Sequence, residues 1–467
     1  MFIAASGAGG SAVLAPPRRP RQPPPVSRMD LLVDDSVPHA RDALGGLAHV
    51  HTFRADGSRA AARRALDASG ATLLVVRTTT PVDRELLEGT AVQWIGTATI
   101  GHDHVDRAWL AGAGIPLATA AGCNADAVRD WVTAVVLRLL DPAELARGGP
   151  VGVVGLGNTG RRVTRALESL GVEVLTCDPP LAAARDRGEV PRTAASGGLS
   201  VADRDELDEM ARERPLVALD ELLERCAALT LHVPLTRSDT AQTSPTHHLI
   251  GARELAPLVE RGALLINCAR GAVIDHGALA AVADDRARGS GFRVALDVWE
   301  GEPELRWELL ERPWLALASP HVAGYTREGK VGATRAMHDA LAAYLGRAPT
   351  WTGSEHLPRE GVTVRLGDVA AARDHTPDAL RGARLAALGG VLAELRGIEE
   401  DDWLVRGLAM VEPERRAAAF DDTRRGYRLR RALTSIDVRP DANAASHRDW
   451  PTVRNGLALL GARVLDR

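Results

Sequence analysis

The stretch Val151–Val163, VGVVGLGNTGRRV, decides the fold. An apolar strand runs straight into Gly155, Gly157 and Gly160 at GxGxxG spacing, with Asn158 and Thr159 between the last two and a helical pattern beyond. In such a turn the first glycine permits the tight bend and the second lets a pyrophosphate approach the backbone. The third lets the helix pack against the strand. The free N–H groups and positive dipole end of the helix then face the phosphates. A glycine-rich turn without a nucleotide is the alternative reading. Against it stands Asp178, the acidic end of the next strand VEVLTCD, about 20 residues on. A carboxylate there accepts hydrogen bonds from ribose hydroxyls and repels a 2′-phosphate, so NAD is the expected cofactor, ahead of NADP.

Downstream, ALTLHVP, ALLINCA, RVALDVW and LALASPH follow as short apolar runs separated by helical patterns, which predicts a doubly wound parallel sheet. The polar, charged stretch at about 181–215 interrupts the series. It reads as a surface insertion, disordered apart from one helix at most in its acidic half. Upstream, DLLVDD, ATLLVVRT, AVQWIGTA and IPLATAA predict buried strands of a first α/β unit, and DAVRDWVTAVVLRLL predicts a long helix. Beyond residue 348 the alternation weakens: TPDALRGARLAALGGVLAEL and the basic FDDTRRGYRLRRAL read as helices, in either a dimerisation module or a solvated, arginine-rich appendage.

Bulk properties narrow the function. At 467 residues, 45% apolar and 25% charged, the chain has the composition of a multidomain globular protein. A net charge of −4 gives no case for nucleic-acid or anionic-membrane partners. No apolar run approaches the roughly 18 residues of a membrane span. Four widely spaced cysteines, with no CxxC pair, indicate neither a metal site nor a disulfide framework and suit a reducing cytoplasm. The Pro/Arg-rich residues 1–28 are expected to be a disordered tail, or to precede a true start at Met29.

Ligands of open α/β sheets bind beyond the carboxyl ends of the strands. Gly155, Asp178, Val233, Arg270, Asp297, Glu302 and His321 all follow strand ends of one predicted sheet. Together they suit oxidation of a secondary alcohol. His321 is the candidate base, because imidazole titrates near neutrality. Glu302 is its orienting carboxylate, Arg270 a bidentate clamp for a substrate carboxylate, and Asp297 an acceptor for the nicotinamide carboxamide. Singly, each has a bland reading as a structural histidine or a surface ion; jointly, at one sheet edge beside a dinucleotide loop, those readings lose force.

GLGNTG, INCARGAVID, ALDVWEGEP and SPHVAG, in that order, resemble the D-isomer-specific 2-hydroxyacid dehydrogenases. The resemblance implies a split flavodoxin-like lid or substrate domain (29–125, returning at 323–347) and a nucleotide domain (126–322). It also implies a small α+β dimerisation domain (348–467), hence a homodimer. It places Arg270, Glu302 and His321 in catalysis. Asp178, Cys268, Ala269, Arg270, Asp297 and Gly324 fall on cofactor-contacting positions, and Thr78, Thr99 and Tyr325 on substrate-contacting ones. Val233 stands where relatives often have threonine. The implied substrate is a small phosphorylated 2-hydroxy acid, and Arg77, Arg327 and Lys330 (the single lysine in the chain) are candidates for its phosphate. Another hydroxyacid dehydrogenase of this family, or an NAD-sensing binding protein, are the alternatives.

Overall fold

Short runs of leucine, isoleucine and valine that are buried on both faces form parallel strands, because only helices on each side can cover them. In the computed structural model, which describes residues 29–141, 144–145, 149–189, 201–237, 245–366 and 376–465, such runs build two sheets in two compact units. The expected tail lies outside the described residues.

The first unit comprises residues 29–98, 102–119 and 337–349. Its strands β1 (Asp30–Asp34), β2 (His49–Phe53), β3 (Leu73–Val76), β4 (Trp94–Thr97) and β5 (Leu117–Thr119) pair in parallel, in the order β2-β1-β3-β4-β5. The sequence reading misses β2, HVHTF. It is an edge strand with only Val50 and Phe53 buried and little apolar content, so its pairing with β1 is a tertiary effect. The segment from Met337 packs on this sheet: Gly96 leaves the space that the Met337 sulfur fills, and His338 bonds the Ala43 carbonyl at 2.7 Å.

The second unit holds residues 99–101, 120–336 and 350–467. Its strands β6 (Val151–Val154), β7 (Val174–Cys177), β8 (Ala228–Leu231), β9 (Leu264–Asn267), β10 (Arg293–Leu296) and β11 (Leu315–Ala318) are parallel, in the order β11-β10-β9-β8-β6-β7. The order reverses between β6 and β8, opening a crevice at their carboxyl ends. The helix Ala125–Leu139 is buried along almost its whole length, between the glycine-loop helix Asn158–Ser169 and the C-terminal helix Pro377–Arg396.

Three expectations need correction. The stretch at 181–215 has the one helix allowed for its acidic half, but it is packed and its start is ordered too: the helix Val201–Glu213 buries Leu207 and Ala211, and Arg185, in the helix Pro179–Asp186, donates to the carbonyls of Ala211 and Arg214 at 2.7 Å each, while residues 190–200 lie outside the described residues. FDDTRRGYRLRRAL is helical only to Arg425; beyond Gly426 the chain runs out to pair with other segments, as the Thr326–Arg430 bridge shows. The last region is not merely a solvated, arginine-rich appendage, since Arg396 is only 2% exposed. This region adds a parallel sheet, β12 (Glu360–Val364), β13 (Ile436–Pro440) and β14 (Arg463–Val464). Its helix Ile398–Leu408 covers the open edge of the six-stranded sheet. Asp402 accepts from Ala318 N (2.8 Å) and Arg406 donates to Leu315 O (2.8 Å), supplying side-chain partners to backbone groups of edge strand β11.

Candidate active site

At the end of β6, Gly155 turns with φ +92°. A Cβ there would meet the His232 carbonyl at 2.7 Å, and one on Gly160 would overlap the Gly155 carbonyl, whereas one on Gly157 would meet nothing. The outer glycines thus serve close packing and the middle one leaves open approach. The helix Asn158–Ser169 starts at Gly157 with no side-chain cap, and Asn158 and Thr159 lie half-buried in its first turn. Its leading N–H groups therefore suit an external anion. Asp178 accepts from Leu156 N (2.7 Å) through Oδ2 and caps the next helix at Leu181 N (2.8 Å) through Oδ1. Each oxygen keeps a lone pair, and the half-buried carboxylate fits ribose hydroxyls as well as its backbone partners. Arg161 stiffens the loop from behind: it is buried, donates to Leu156 O (2.8 Å) and pairs with Asp208 (3.4 Å) of the inserted helix. The donor set and the space at Gly157 fit a dinucleotide.

Val233 follows β8, and its Cγ1 would lie 2.9 Å from a Cβ on Gly155. Beside it, burial pushes the His232 imidazole down to about 3, so it is neutral. Its Nε2 meets Thr230 Oγ1 at 3.0 Å and its Nδ1 lies 3.9 Å from the Cys268 thiol. Asn267, buried at the end of β9, accepts from Ala269 N (3.1 Å) and donates to Arg270 O (2.9 Å), which shapes the turn Cys268–Arg270. Arg270 is half-buried and donates to Ala269 O at 2.8 Å. Gly271 presses on the Trp299–Glu300 backbone so closely that any Cβ would overlap it, which fixes the arginine turn against the loop that carries Glu302. Sequence reading missed Asn267 and Gly271: an asparagine ending an apolar strand was the only signal.

The turn after β11 bears the strain. His321 has φ +59°, a left-handed conformation that costs about 1 kcal/mol or more in a residue other than glycine. Asp297, 1% exposed after β10, holds the turn: its Oδ1 accepts from Ser319 Oγ (2.7 Å), Val322 N (2.7 Å) and Ala323 N (3.0 Å). Burial raises its pKa despite these bonds and the nearby His321. Trp299 Nε1 donates to Ser319 O at 3.0 Å. His321 Nδ1 meets Glu302 Oε1 at 2.6 Å, which leaves Nε2 as the nitrogen able to exchange a proton with a ligand. Burial alone would raise Glu302, but His321, Arg424 and Arg270 outweigh it and hold the carboxyl below its usual range. The three expected catalytic residues are thus electrostatically coupled at one sheet edge.

The remaining candidates are dispersed. Gly324 abuts Asn124, where a Cβ would overlap the amide. Tyr325 stands between the Lys330 ammonium, 4.1 Å from its ring centroid, and the Tyr427 ring at 6.1 Å. Thr99 Oγ1 donates to Gly101 O at 2.9 Å and its carbonyl accepts from Ala120 N at 3.0 Å. Arg77 and Thr78 follow β3 in the first unit, half-buried and exposed respectively, and Arg327 is exposed. His247, His248 and Glu300 have ligand atoms close enough for a metal, but Glu300 already bonds His248 (2.5 Å) and His276 N (3.1 Å).

Residues 141–323 match the family model of the D-isomer specific 2-hydroxyacid dehydrogenase NAD-binding domain. An erythronate-4-phosphate dehydrogenase from Salinibacter ruber is 37% identical over 442 residues, covering 93% of this chain and 99% of that protein. One from Marinobacter nauticus is 35% identical over 423 residues, 90% and 97% of the two chains. Among solved structures, a glyoxylate reductase from Paecilomyes thermophila is similar in fold, with TM-score 0.53 and 23% identity over 71% of this chain and all of that one. With the glycine loop, the His321–Glu302 turn and the Arg270 turn at one sheet edge, and with full-length relatives of this identity, the chain belongs to the D-isomer-specific 2-hydroxyacid dehydrogenases and, among them, to the family of the erythronate-4-phosphate dehydrogenases.

Proposed function

We propose that the chain oxidises 4-phospho-D-erythronate at C2 with NAD, giving (R)-3-hydroxy-2-oxo-4-phosphobutanoate for pyridoxal 5′-phosphate synthesis. The observation that carries the chemistry is the 2.6 Å contact of His321 Nδ1 with Glu302, in electrostatic reach of Arg270. The names of the full-length relatives support the substrate. NAD, when bound, supplies the hydride acceptor. Arg270 clamps the substrate carboxylate with its planar fork and so turns C2 toward the sheet edge. His321 Nε2 takes the C2 hydroxyl proton as the hydride leaves, and Glu302 stabilises the imidazolium that forms. Asp297 keeps the strained turn in place, so the imidazole need not reorganise during the step. Asp178 takes the ribose hydroxyls, and Cys268, Ala269, Val233 and Gly324 line the cofactor's path. Thr78, Thr99, Tyr325, Arg77 and Lys330 receive the substrate, the last two offering the phosphate its cations. The third region makes the homodimer, its Trp403 (82% exposed) and Met410 (88% exposed) being the apolar side chains to cover. Four free cysteines suit a cytoplasmic location.

A panel of phosphorylated and plain D-2-hydroxy acids with NAD, followed by NADH absorbance, tests the reading. The highest kcat/KM is expected with 4-phospho-D-erythronate, and a preference for an unphosphorylated acid would overturn it.

A further inference from the structure

The edge strand β2 carries a cluster that the dehydrogenase site leaves unused. In HVHTF, His49 and His51 are two residues apart, so both side chains leave the same face of the strand. Asp30, at the start of β1, is the register partner of His49 and shares that face. His49 Nδ1 meets Asp30 Oδ1 at 3.0 Å, and His51 Nε2 meets the same oxygen at 2.7 Å. The two rings stand edge to face with centroids 4.6 Å apart. One ligand atom from each of the three residues thus lies within 4.8 Å of the others. The backbone fixes them: His49 N donates to Met29 O at 2.9 Å and Thr72 N to Asp30 O at 3.0 Å. Asp30 and His49 open their strands, whereas Arg77 and Thr78 follow the carboxyl end of β3. The cluster therefore lies at the other end of this sheet from those two substrate candidates.

We propose that Asp30, His49 and His51 form a binding site for a divalent transition-metal cation such as Zn²⁺, which would tie the edge strand β2 to β1. Holding the strand does not by itself call for two imidazoles on one oxygen. Arg41 already donates to Val50 O (3.0 Å) and Thr52 Oγ1 (3.2 Å), and hydrogen-bonded pairs as exposed as His49 and Asp30 add little stability. Two imidazole nitrogens and a carboxylate oxygen are instead a three-ligand set that zinc completes with water. The side chains of His49 and His51, 63% and 33% exposed, leave a path for the cation and room for that water. Imidazole favours Zn²⁺, Ni²⁺ or Cu²⁺ over Mg²⁺ and Ca²⁺, which take oxygen ligands. The carboxylate is ready to bind: its bonds to His51 and His49 hold it below the usual carboxylate range. A carboxylate only accepts, so each imidazole now turns an N–H toward it. A change of tautomer in each neutral ring replaces that N–H by a lone pair, and no proton is lost.

The test is calorimetric titration of the full-length, chelator-treated chain with Zn²⁺, for the wild type, D30N, H51N and H248N. The wild type should bind Zn²⁺ saturably. D30N and H51N should each weaken that binding by about tenfold or more, since even the loss of a partner behind a ligand costs as much. H248N alters the other histidine–carboxylate group within reach of a cation and should leave the binding in place. A second measurement needs no variant: Zn²⁺ should slow the acylation of His49 and His51 by diethylpyrocarbonate, mapped by mass spectrometry, while exposed His39 keeps its rate. Binding that D30N and H51N leave unchanged, or that only H248N removes, places the cation elsewhere and overturns the inference. Unchanged acylation of His49 and His51 under saturating Zn²⁺ overturns it as well.

Discussion

Two parts of the six-stranded sheet, β6 on one side and β10 with β11 on the other, build their shares of the candidate site by opposite means. At β6 the proposed cofactor cradle is made of missing atoms: Gly155 and Gly160 let backbones touch, and Gly157 leaves room. At β10 and β11 the proposed acid–base turn is made of added ones. A buried carboxylate with three hydrogen bonds holds a left-handed histidine against a second carboxylate. Phosphate recognition by backbone N–H groups needs proximity, and any side chain obstructs it. Proton transfer needs an imidazole fixed in tautomer and direction, which only surrounding side chains achieve.

From that contrast, the acid–base turn is expected to fail by subtraction and the cradle by addition. The largest effect is expected from H321N, which tolerates the left-handed backbone but cannot take the proton. Turnover should fall on the order of 10²–10⁴-fold, while NADH binding, read by fluorescence, persists; equal loss of both would make the histidine structural. Next comes G160A. Its one added carbon overlaps the Gly155 carbonyl, so NADH affinity should drop by about tenfold or more, with unchanged affinity breaking the argument from close approach. D178A acts on both the ribose and the loop. It should weaken NAD by a similar factor, ease the exclusion of NADP, and cost about 1 kcal/mol of stability through the lost helix cap, as thermal unfolding would register. The smallest change is V233T, which adds a hydroxyl beside the cradle. A gain of only about 1 kcal/mol in NADH binding is expected, and a loss would show that a hydroxyl at this position does not serve the cofactor.

The cradle was legible because its signal is local. A strand, three glycines, a helix and an acid at the next strand end lie within about 30 residues, and each has its own physical reason. The strands behind it were legible for the same reason: LLIN or RVAL, bounded by polar turns, has few other fates. HVHTF was not, since an edge strand needs little apolar content and its partner lies elsewhere in the chain. Arg161 and Arg162 look like the solvated face of a helix. They are 3% and 2% exposed, because Leu156 O and Asp208 take one and Asn158 O and Asp126 the other. The same blindness hid the third region, where FDDTRRGYRLRR reads as charge and folds as a buried network around Asp401, Tyr427 and Arg430.

From the residues alone came a parallel sheet with a dinucleotide turn, the set Arg270, Glu302 and His321 at its edge, and the preference for NAD. These follow from periodicity and from the chemistry that short motifs carry in their own backbone. Tertiary structure alone decided that Asp297 anchors the turn bearing His321, that Asn267 and Gly271 set the turn before Arg270, and that a helix more than 80 residues downstream closes the edge of β11. Each of these depends on a partner distant in sequence. A buried charge can be recognised only when the group that compensates it is known.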